Sequence, residues 1–325
     1  MLKWLYIIIN NRKIINKMRK VYGIGETVLD IIFKNTQPIG AKAGGSVLNS
    51  MVSLGRLNAN VQFISETGND KVGQIIKDFL EENNVHTKYM QTFISGKSAL
   101  SLAFLNDKND AHYDFYKDYP NQRLQGPIPE FTKNDLFMFG SFYGVSPVLR
   151  HGMMNILMAA KNTGAFIYYD PNFRSSHLHE LPELKPYILE NIKISNLVRG
   201  SDEDFKNIYG IEEPRAVYNQ LKDFCPMLII TENAKGVHFF NHGSYKYYAV
   251  KNIEPISTIG AGDTFNAGVI YGMLKHNVDI QNSSLLHAND WDRIIETAIL
   301  FSTNVCLSLD NYIDVELAKK YSLGS

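Results

Sequence analysis

Cysteine is scarce in this chain of 325 residues, which contains only Cys225 and Cys306, at widely separated positions. Two distant cysteines exclude a disulfide framework and a Cys-x-x-Cys metal site. They are typical of a protein from a reducing compartment, and we therefore expect a cytoplasmic location.

An excess of charge of one sign is also absent, because Lys plus Arg and Asp plus Glu both number 33. A balanced charge gives no indication of a nucleic-acid-binding or membrane-binding surface, so neither partner is expected. The length allows either one large α/β domain or two smaller domains, each with a substantial core.

Long apolar runs are missing near the start of the chain. The apolar stretch at residues 4–9 covers six residues, whereas a membrane-spanning helix needs about 20. Most of the nearby basic residues follow this stretch, whereas in a secretory signal they precede it. We interpret residues 1–20 as an N-terminal extension before a domain that covers residues 21–325. A start at Met18 is one explanation of the extension, and a short structured segment is the other.

The most informative segment is residues 257–268, which read STIGAGDTFNAG. The small residues Gly260, Ala261 and Gly262 leave backbone N–H groups uncovered, and an apolar run compatible with a helix follows. Unpaired amides and the positive end of a helix dipole together form an anion site. Asp263 lies at the mouth of this site, where a carboxylate should be repelled. We interpret it as a general base that accepts a hydroxyl proton while the amides stabilise a transferring phosphoryl group. The alternative is an Asp that caps the helix.

The same segment, with Thr258 before the glycines and Phe265 after them, resembles the C-terminal signature of the ribokinase-like (PfkB) sugar kinases. Other segments are similar to motifs of that family and occur in the same order: residues 25–30, Gly44-Gly45 with Asn49, residues 63–73, Asp170-Pro171-Asn172-Phe173-Arg174, and Thr231 with Gly236. The Asp170–Arg174 segment resembles the fructokinase and ketodeoxygluconate-kinase branch. The resemblance extends from about residue 21 to the C-terminus.

The apolar residues follow an alternation of strands and helices. The pattern predicts strands over 21–32, 61–65, 136–139 and 166–170, and helices over 46–57, 70–82 and 148–162. Such an alternation predicts a mostly parallel sheet with helices on both faces.

Consecutive β-like stretches over 88–94, 98–105 and 111–117 interrupt this alternation. We assign them to a small β lid. The family resemblance implies a three-layer α/β/α ribokinase-like fold with a mostly parallel central sheet, and lid segments near 31–43 and 88–118. It also implies that the lid closes over the sugar and forms a homodimer with a second subunit.

Two other nucleotide-binding motifs are incomplete. Residues 96–98 end like a Walker A loop, but Gln91 takes the place of the required glycine. Residues 23–25 begin a dinucleotide fingerprint, but Val28 takes the place of its third glycine. A P-loop enzyme and a dehydrogenase are therefore not favoured.

The resemblance implies a role for each residue of the candidate site. ATP should bind along the carboxyl edge of the sheet, which is the usual ligand position in open α/β folds. The residues expected at the nucleotide are Thr231, Gly236, Thr258 and Asn304. The residues expected at the sugar are Asp30, Gly44, Gly45 and Asn49. Lys117 and Arg174 are candidates for contacts to substrate or phosphate, and a solvated surface cation is the alternative for each.

Two departures from the family pattern concern metal ions. Many members have an Asp at the position of Ser257, where it helps to bind an activating monovalent cation, so this cation is doubtful here. Many also have an Asn-x-x-Glu motif that organises Mg²⁺, and residues 201–204 (SDED) take its place. Asp204 keeps the negative charge with a shorter reach, and we expect it to hold Mg²⁺ through water.

Together these features indicate an ATP- and Mg²⁺-dependent kinase that phosphorylates a sugar hydroxyl. Asp30 and the segment ending at Arg174 favour fructose or a related ketose. Ketodeoxygluconate, ribose and nucleosides remain as other acceptors. A non-catalytic sugar-binding protein is the alternative of a different class, and Asp263 argues against it because binding alone does not need a base.

Overall fold

The computed structural model of the chain describes residues 19–106 and 111–324. The strands in these residues are β1 (Lys20–Ile24), β2 (Val28–Lys34), β3 (Gln37–Gly44), β4 (Asn60–Gly68), β5 (Val85–Phe93), β6 (Lys97–Leu105), β7 (Ala111–Asp118), β8 (Leu136–Gly140), β9 (Phe166–Asp170), β10 (Leu197–Ser201), β11 (Met227–Thr231), β12 (Val237–Asn241) and β13 (Ser244–Tyr248). The α-helices are α1 (Ser46–Arg56), α2 (Lys71–Glu82), α3 (Arg150–Thr163), α4 (Leu181–Ile194), α5 (Asp202–Tyr209), α6 (Pro214–Leu221), α7 (Ala261–Lys275), α8 (Ala288–Cys306) and α9 (Val315–Lys320).

The larger sheet has nine strands in the order β13-β12-β11-β10-β9-β8-β1-β4-β5. The strands from β5 to β11 in this order are parallel, and β12 and β13 continue the sheet in antiparallel pairing. The prediction of a mostly parallel sheet is therefore confirmed. Because the strands are parallel, the loops that follow them meet at one edge of the sheet.

Helices cover both faces of this sheet. Strand β8 illustrates the arrangement, because Leu136 and Met138 pack in one core cluster and Phe137 and Phe139 pack in the other. Helices α1, α2, α7 and α8 contribute to the first cluster, and α3, α4, α5 and α6 contribute to the second. A parallel sheet buried on both faces requires such continuous apolar strands. The predicted three-layer α/β/α architecture is confirmed.

A smaller sheet has the strand order β3-β2-β6-β7. The prediction of one strand over 21–32 was wrong, because the chain leaves the larger sheet after Ile24 and enters the smaller sheet at Val28. The residues of β1 after Lys20 are fully buried, whereas those of β2 from Asp30 onward are only half-buried or exposed. The burial of β1 is therefore typical of a sheet covered on both faces, whereas that of β2 is typical of a sheet that is partly open to solvent.

The assignment of all three stretches over 88–117 to the lid was also wrong for the first of them. Strand β5 pairs in parallel with β4 at the edge of the larger sheet, and its Val85 and Met90 belong to the main core. Strands β6 and β7 lie in the smaller sheet as expected.

The first strand of the larger sheet begins before residue 21. Lys20 opens β1, and Arg19 is 4% exposed with its guanidinium bonded to three backbone carbonyls. Arg19 and Lys20 therefore pack with the domain that was expected to begin at residue 21. The rest of the N-terminal extension, residues 1–18, lies outside the described residues. Within residues 19–106 and 111–324, no helix has both the length and the apolar character that a membrane span requires.

Arg19 connects three segments that are distant in the sequence. Its Nε donates to the carbonyl of Asn134 at 2.6 Å, and its Nη2 donates to that of Val278 at 2.7 Å. Arg19→Met should leave these buried carbonyls without a donor and lower the free energy of unfolding by about 2–4 kcal/mol. For a domain of this size we expect the thermal midpoint to fall by about 4 °C or more.

Arg293→Met provides the matched control, since Arg293 is exposed on α8. Its thermal midpoint should remain near that of the wild type. Equal midpoints for the two variants would show that the buried guanidinium does not stabilise the domain.

Candidate active site

Helix α7 begins at a tight turn whose conformation requires glycine. Gly260 has φ 79° in the left-handed region, and a Cβ there would collide with the backbone of Asn311. The Gly260 carbonyl accepts bonds of 2.8 Å from both the backbone N–H and the hydroxyl of Thr264. These contacts fix the position at which the helix starts.

The amides at this turn differ from the expected set in one respect. Ala261 N–H is bonded to the carbonyl of Thr258 at 3.3 Å, so it is not free to bind an anion. Among the described residues no acceptor is bonded to the amides of Gly260, Gly262 and Asp263. Gly260 precedes the helix, so two of these unpaired amides, those of Gly262 and Asp263, lie in the first turn of α7. They lie at the positive end of its dipole.

Asp263 is half-buried in this first turn and is held by α1. The side-chain amide of Asn49 donates to Asp263 Oδ2 at 2.8 Å, and the Ser50 hydroxyl donates to the Asp263 carbonyl at 2.8 Å. Desolvation raises the pKa of Asp263 to about 7, although the Asn49 bond and the charge of Arg174 oppose this rise. A carboxyl group with this pKa can gain and lose a proton near neutral pH, as a general base must.

Asp30 provides a second carboxylate from the smaller sheet. The hydroxyl of Ser101 on β6 donates to it, and burial raises its pKa to about 6. Gly44 faces this carboxylate so closely that a Cβ would collide with Oδ2 of Asp30. The next residue, Gly45, has φ 137°, and a Cβ there would collide with the carbonyl of Glu26. Gly45 is thus required by close approach of the backbone, whereas a side chain at position 44 would displace the Asp30 carboxylate.

Tyr113 on β7 completes this group, and the sequence analysis did not identify it. Burial raises the pKa of Tyr113 to about 12, and the charges of Asp30, Arg174 and Asp263 also act on it. Of the predicted sugar residues, Asn49 contacts Asp263 directly, the charge of Arg174 acts on it, and Gly44 lies against Asp30. The alternation of side chains along β7 was the only available signal for Tyr113.

Lys117 is not part of this group. Its Nζ forms an ion pair with Glu26 at 2.8 Å, and the Tyr119 hydroxyl donates to the same carboxylate at 2.6 Å. These side chains line a separate cavity of about 500 Å³ together with Arg123 and Phe142. The lining of that cavity does not include Asp263 or Asp30.

The expected nucleotide residues lie on four different segments. Thr231 is the last residue of β11. Gly236 has φ 150° and precedes β12, and its carbonyl accepts from Glu232 N at 2.9 Å. Thr258 precedes the glycine turn. Asn304 lies in α8, where its amide donates to the Asp314 carboxylate at 2.8 Å. Contact of these four residues with a nucleotide stays a prediction.

A buried charged network connects the ends of β9, β10 and β11. Arg199 Nη1 contacts Asp170 Oδ2 at 2.9 Å, and its Nη2 donates to the Thr231 hydroxyl at 2.7 Å. Asn266 on α7 donates to the same Asp170 oxygen at 2.6 Å and accepts from the Tyr168 hydroxyl at 2.8 Å. No sequence motif distinguished Arg199, because its partners come from other strands.

Both carboxylate oxygens of Asp204 accept hydrogen bonds from neighbouring segments of the chain. Its Oδ1 accepts from Phe173 N at 2.6 Å, and its Oδ2 accepts from both the amide and the hydroxyl of Ser201 at 2.7 Å. The carboxylate thereby caps α5 and fixes the segment that carries Arg174. In the described part of the chain no three Asp, Glu, His or Cys side chains form a metal-binding group. A contact of Asp204 with Mg²⁺ through water stays a prediction.

Comparison with known proteins identifies the family of this chain. Residues 18–288 match the family described as pfkB family carbohydrate kinase. Fructokinase from Vibrio alginolyticus is 22% identical over 282 residues, which cover 84% of this chain and 91% of that protein. Aminoimidazole riboside kinase from Salmonella typhimurium is 20% identical over 292 residues, 89% of this chain and 88% of that protein.

A similar fold occurs in solved structures. The crystal structure of a fructokinase double mutant from Vibrio cholerae O395, bound to fructose, ADP and potassium ion, has a TM-score of 0.81. Its sequence identity is 20%, with 94% of this chain and 99% of that chain covered. The chain therefore belongs to the pfkB family of carbohydrate kinases, and it is an ATP-dependent sugar kinase.

Proposed function

We propose that this enzyme transfers the γ-phosphoryl group of ATP to a hydroxyl of fructose or a related ketose, with Asp263 as the general base. The observation that carries the proposal is the position of Asp263 in the first turn of α7. Its pKa is raised, it lies beside unpaired amides, and its charge acts on Tyr113 together with that of Asp30. A non-catalytic sugar-binding protein has no need of such a base.

In the proposed reaction the acceptor sugar lies between Asp30 and Asp263. Asp30 accepts hydrogen bonds from sugar hydroxyls, and Gly44 and Gly45 let the chain approach the ring. The Asp263 carboxylate accepts the proton of the attacking hydroxyl as its oxygen bonds to phosphorus. The amides of Gly262 and Asp263 stabilise the negative charge on the transferring group.

Magnesium fits this site only as an ion held mainly by the nucleotide. Mg²⁺ usually keeps several waters and binds one or two carboxylates together with substrate phosphates, so it does not require a protein cage. When bound, it neutralises charge on the phosphates. Since both oxygens of Asp204 are already bonded to the chain, we infer that any protein contact to the ion is indirect.

The relatives support a ketose or a riboside as the acceptor. A fructokinase and an aminoimidazole riboside kinase both match most of this chain at similarly low identity. Asp30 and Arg174 suit the hydroxyls of either sugar. Fructose is our first choice because of the Asp170–Arg174 segment, and a riboside is the second candidate.

We also propose that the smaller sheet is a lid and that two copies pair through it. The sheet contributes Asp30 and Tyr113 to the acceptor group, so its movement would open or close the sugar site. It also exposes large apolar side chains, with Ile39 58%, Phe115 56% and Tyr116 57% accessible. Exposed apolar groups of this kind are typical of an interface.

Substrate identity can be tested by measuring ADP release with Mg-ATP across fructose, ribose, ketodeoxygluconate and a purine nucleoside. Fructose should give the highest kcat/KM, at least about tenfold above ketodeoxygluconate, which equals about 1.4 kcal/mol of transition-state stabilisation. Turnover of the nucleoside alone would replace our first choice with the second. Tight sugar binding by calorimetry without any turnover would contradict the kinase proposal.

Asp263→Asn should lower kcat by about 10² or more, because the amide cannot accept the hydroxyl proton. Sugar affinity should change little. The wild-type rate should also fall about tenfold per pH unit below about pH 7, since the pKa of Asp263 is raised and a protonated carboxyl is not a base. Steady-state kinetics between pH 5 and 9 should show that the variant has lost this acidic limb.

Asp223→Asn is the control for this experiment, because Asp223 is exposed in a turn. It should retain the wild-type rate and pH profile. More than a tenth of wild-type turnover in Asp263→Asn would exclude Asp263 as the base.

Ser257 leads to a prediction about monovalent cations. Its hydroxyl accepts from Ile259 N at 3.2 Å, and the Cys306 carbonyl accepts from Ile256 N at 2.8 Å and from Ser257 N at 3.4 Å. Lacking a carboxylate at this position, the enzyme should have rates within about twofold in potassium, sodium and tetramethylammonium buffers, a difference below about 0.5 kcal/mol. Ser257→Asp should introduce potassium activation. Several-fold activation of the wild type by potassium would show that carbonyl groups suffice to bind the ion.

A further inference from the structure

Arg199 is a buried cation whose position is not explained by packing alone. It lies on β10, is 7% exposed, and directs its guanidinium toward the first turn of α7. A Cβ built on Gly262 would lie 3.0 Å from Nη1 and 3.2 Å from Nη2. The missing side chain at Gly262 therefore allows the guanidinium to approach the turn that carries the unpaired amides.

The guanidinium also has uncommitted donors. Of its five N–H groups, the bonds within the described residues engage one toward Asp170 and one toward Thr231. Its Nε is fully buried without a partner. An unsatisfied buried donor normally costs about 1–3 kcal/mol, and that cost needs an explanation.

We propose that Arg199 is a catalytic residue that donates hydrogen bonds to the transferring phosphoryl group. Three observations converge on this ligand: a planar cation suited to phosphate oxygens, free amides beside it, and the base Asp263 in the same turn. The charge of Arg199 reaches that base, because it opposes the rise in the pKa of Asp263.

The step rests on the proposed kinase function. The sugar oxygen forms a bond to the γ-phosphorus, and the bond from this phosphorus to the bridging oxygen of ADP breaks. The bridging oxygen keeps the electron pair, and the hydroxyl proton goes to Asp263. Arg199 stabilises the negative charge of the γ-phosphoryl oxygens during this exchange, while Asp170 and Thr231 hold its guanidinium in place.

The competing explanation is that Arg199 only neutralises Asp170 and stabilises the fold. The two roles differ in how they depend on the γ-phosphate. A structural Arg affects ADP and ATP binding equally, whereas a catalytic Arg affects states that contain a γ-phosphoryl group. Both roles predict a loss of thermal stability, so stability does not discriminate between them.

The test compares the wild type with Arg199→Met, Arg199→Lys and the control Arg19→Lys, which alters another buried arginine outside the site. Calorimetry measures the affinity for ADP and for ADP with aluminium fluoride in the presence of sugar, and kinetics measure kcat. In Arg199→Met the ADP affinity should stay within about threefold, the aluminium fluoride complex should weaken at least about 30-fold, and kcat should fall about 10²–10³. Arg199→Lys should recover part of the rate, and Arg19→Lys should keep wild-type values.

Equal weakening of both complexes, or a kcat within about threefold of the wild type, would overturn the proposal. If Arg199→Met does not fold, Arg199→Lys decides by the same criteria, because the loss of the planar fork should lower kcat at least about tenfold. A wild type that binds the nucleotide but turns over no sugar would refute the proposed function. The difference between the two nucleotide affinities would still test the contact of Arg199.

Discussion

The proposed site depends on keeping a carboxylate beside a helix N-terminus whose amides are unpaired. Asp263 lies in the first turn of α7, where an incoming phosphate group and the carboxylate would repel each other. The chain makes this arrangement tolerable through Asn49, which donates to the carboxylate, and through Arg174 and Arg199, whose charges favour its ionised form. Desolvation acts in the opposite direction, so the pKa settles near 7 and the group is poised to take up a proton.

The rest of the site follows from where parallel strands end. Strands β9, β10 and β11 are neighbours in the larger sheet, so Asp170, Arg199 and Thr231 meet at its carboxyl edge although they are far apart in sequence. Helix α7 adds Asn266 to the network, because this side chain donates to Asp170. The start of α7 is therefore fixed to the larger sheet through buried hydrogen bonds as well as through apolar packing.

The smaller sheet supplies residues to the acceptor side of the proposed site. The chain passes from β1 to β2 through residues 25–27, and the close approach of Gly45 to the Glu26 carbonyl brings the start of α1 against this crossing. Asp30 and Tyr113 then come from the smaller sheet, whereas Asn49 and Asp263 come from helices on the larger one. If the proposed sugar site is correct, substrate affinity depends on the relative position of the two sheets.

The sequence alone determined the features that depend on local chemistry. The glycine turn at 260–262, the βα alternation and the family motifs predicted the three-layer fold, and they identified Asp263, Asp30 and Asn49 as a group. Contacts between distant segments were decided only by the tertiary structure. These include the ion pair of Lys117 with Glu26 and the hydrogen bonds by which Asp204 caps α5. They also include the pairing of β5 with the larger sheet and the burial of Arg19. They also include Tyr113 and Arg199, because the partners that give a charged or polar side chain its role lie on strands whose adjacency no local pattern encodes.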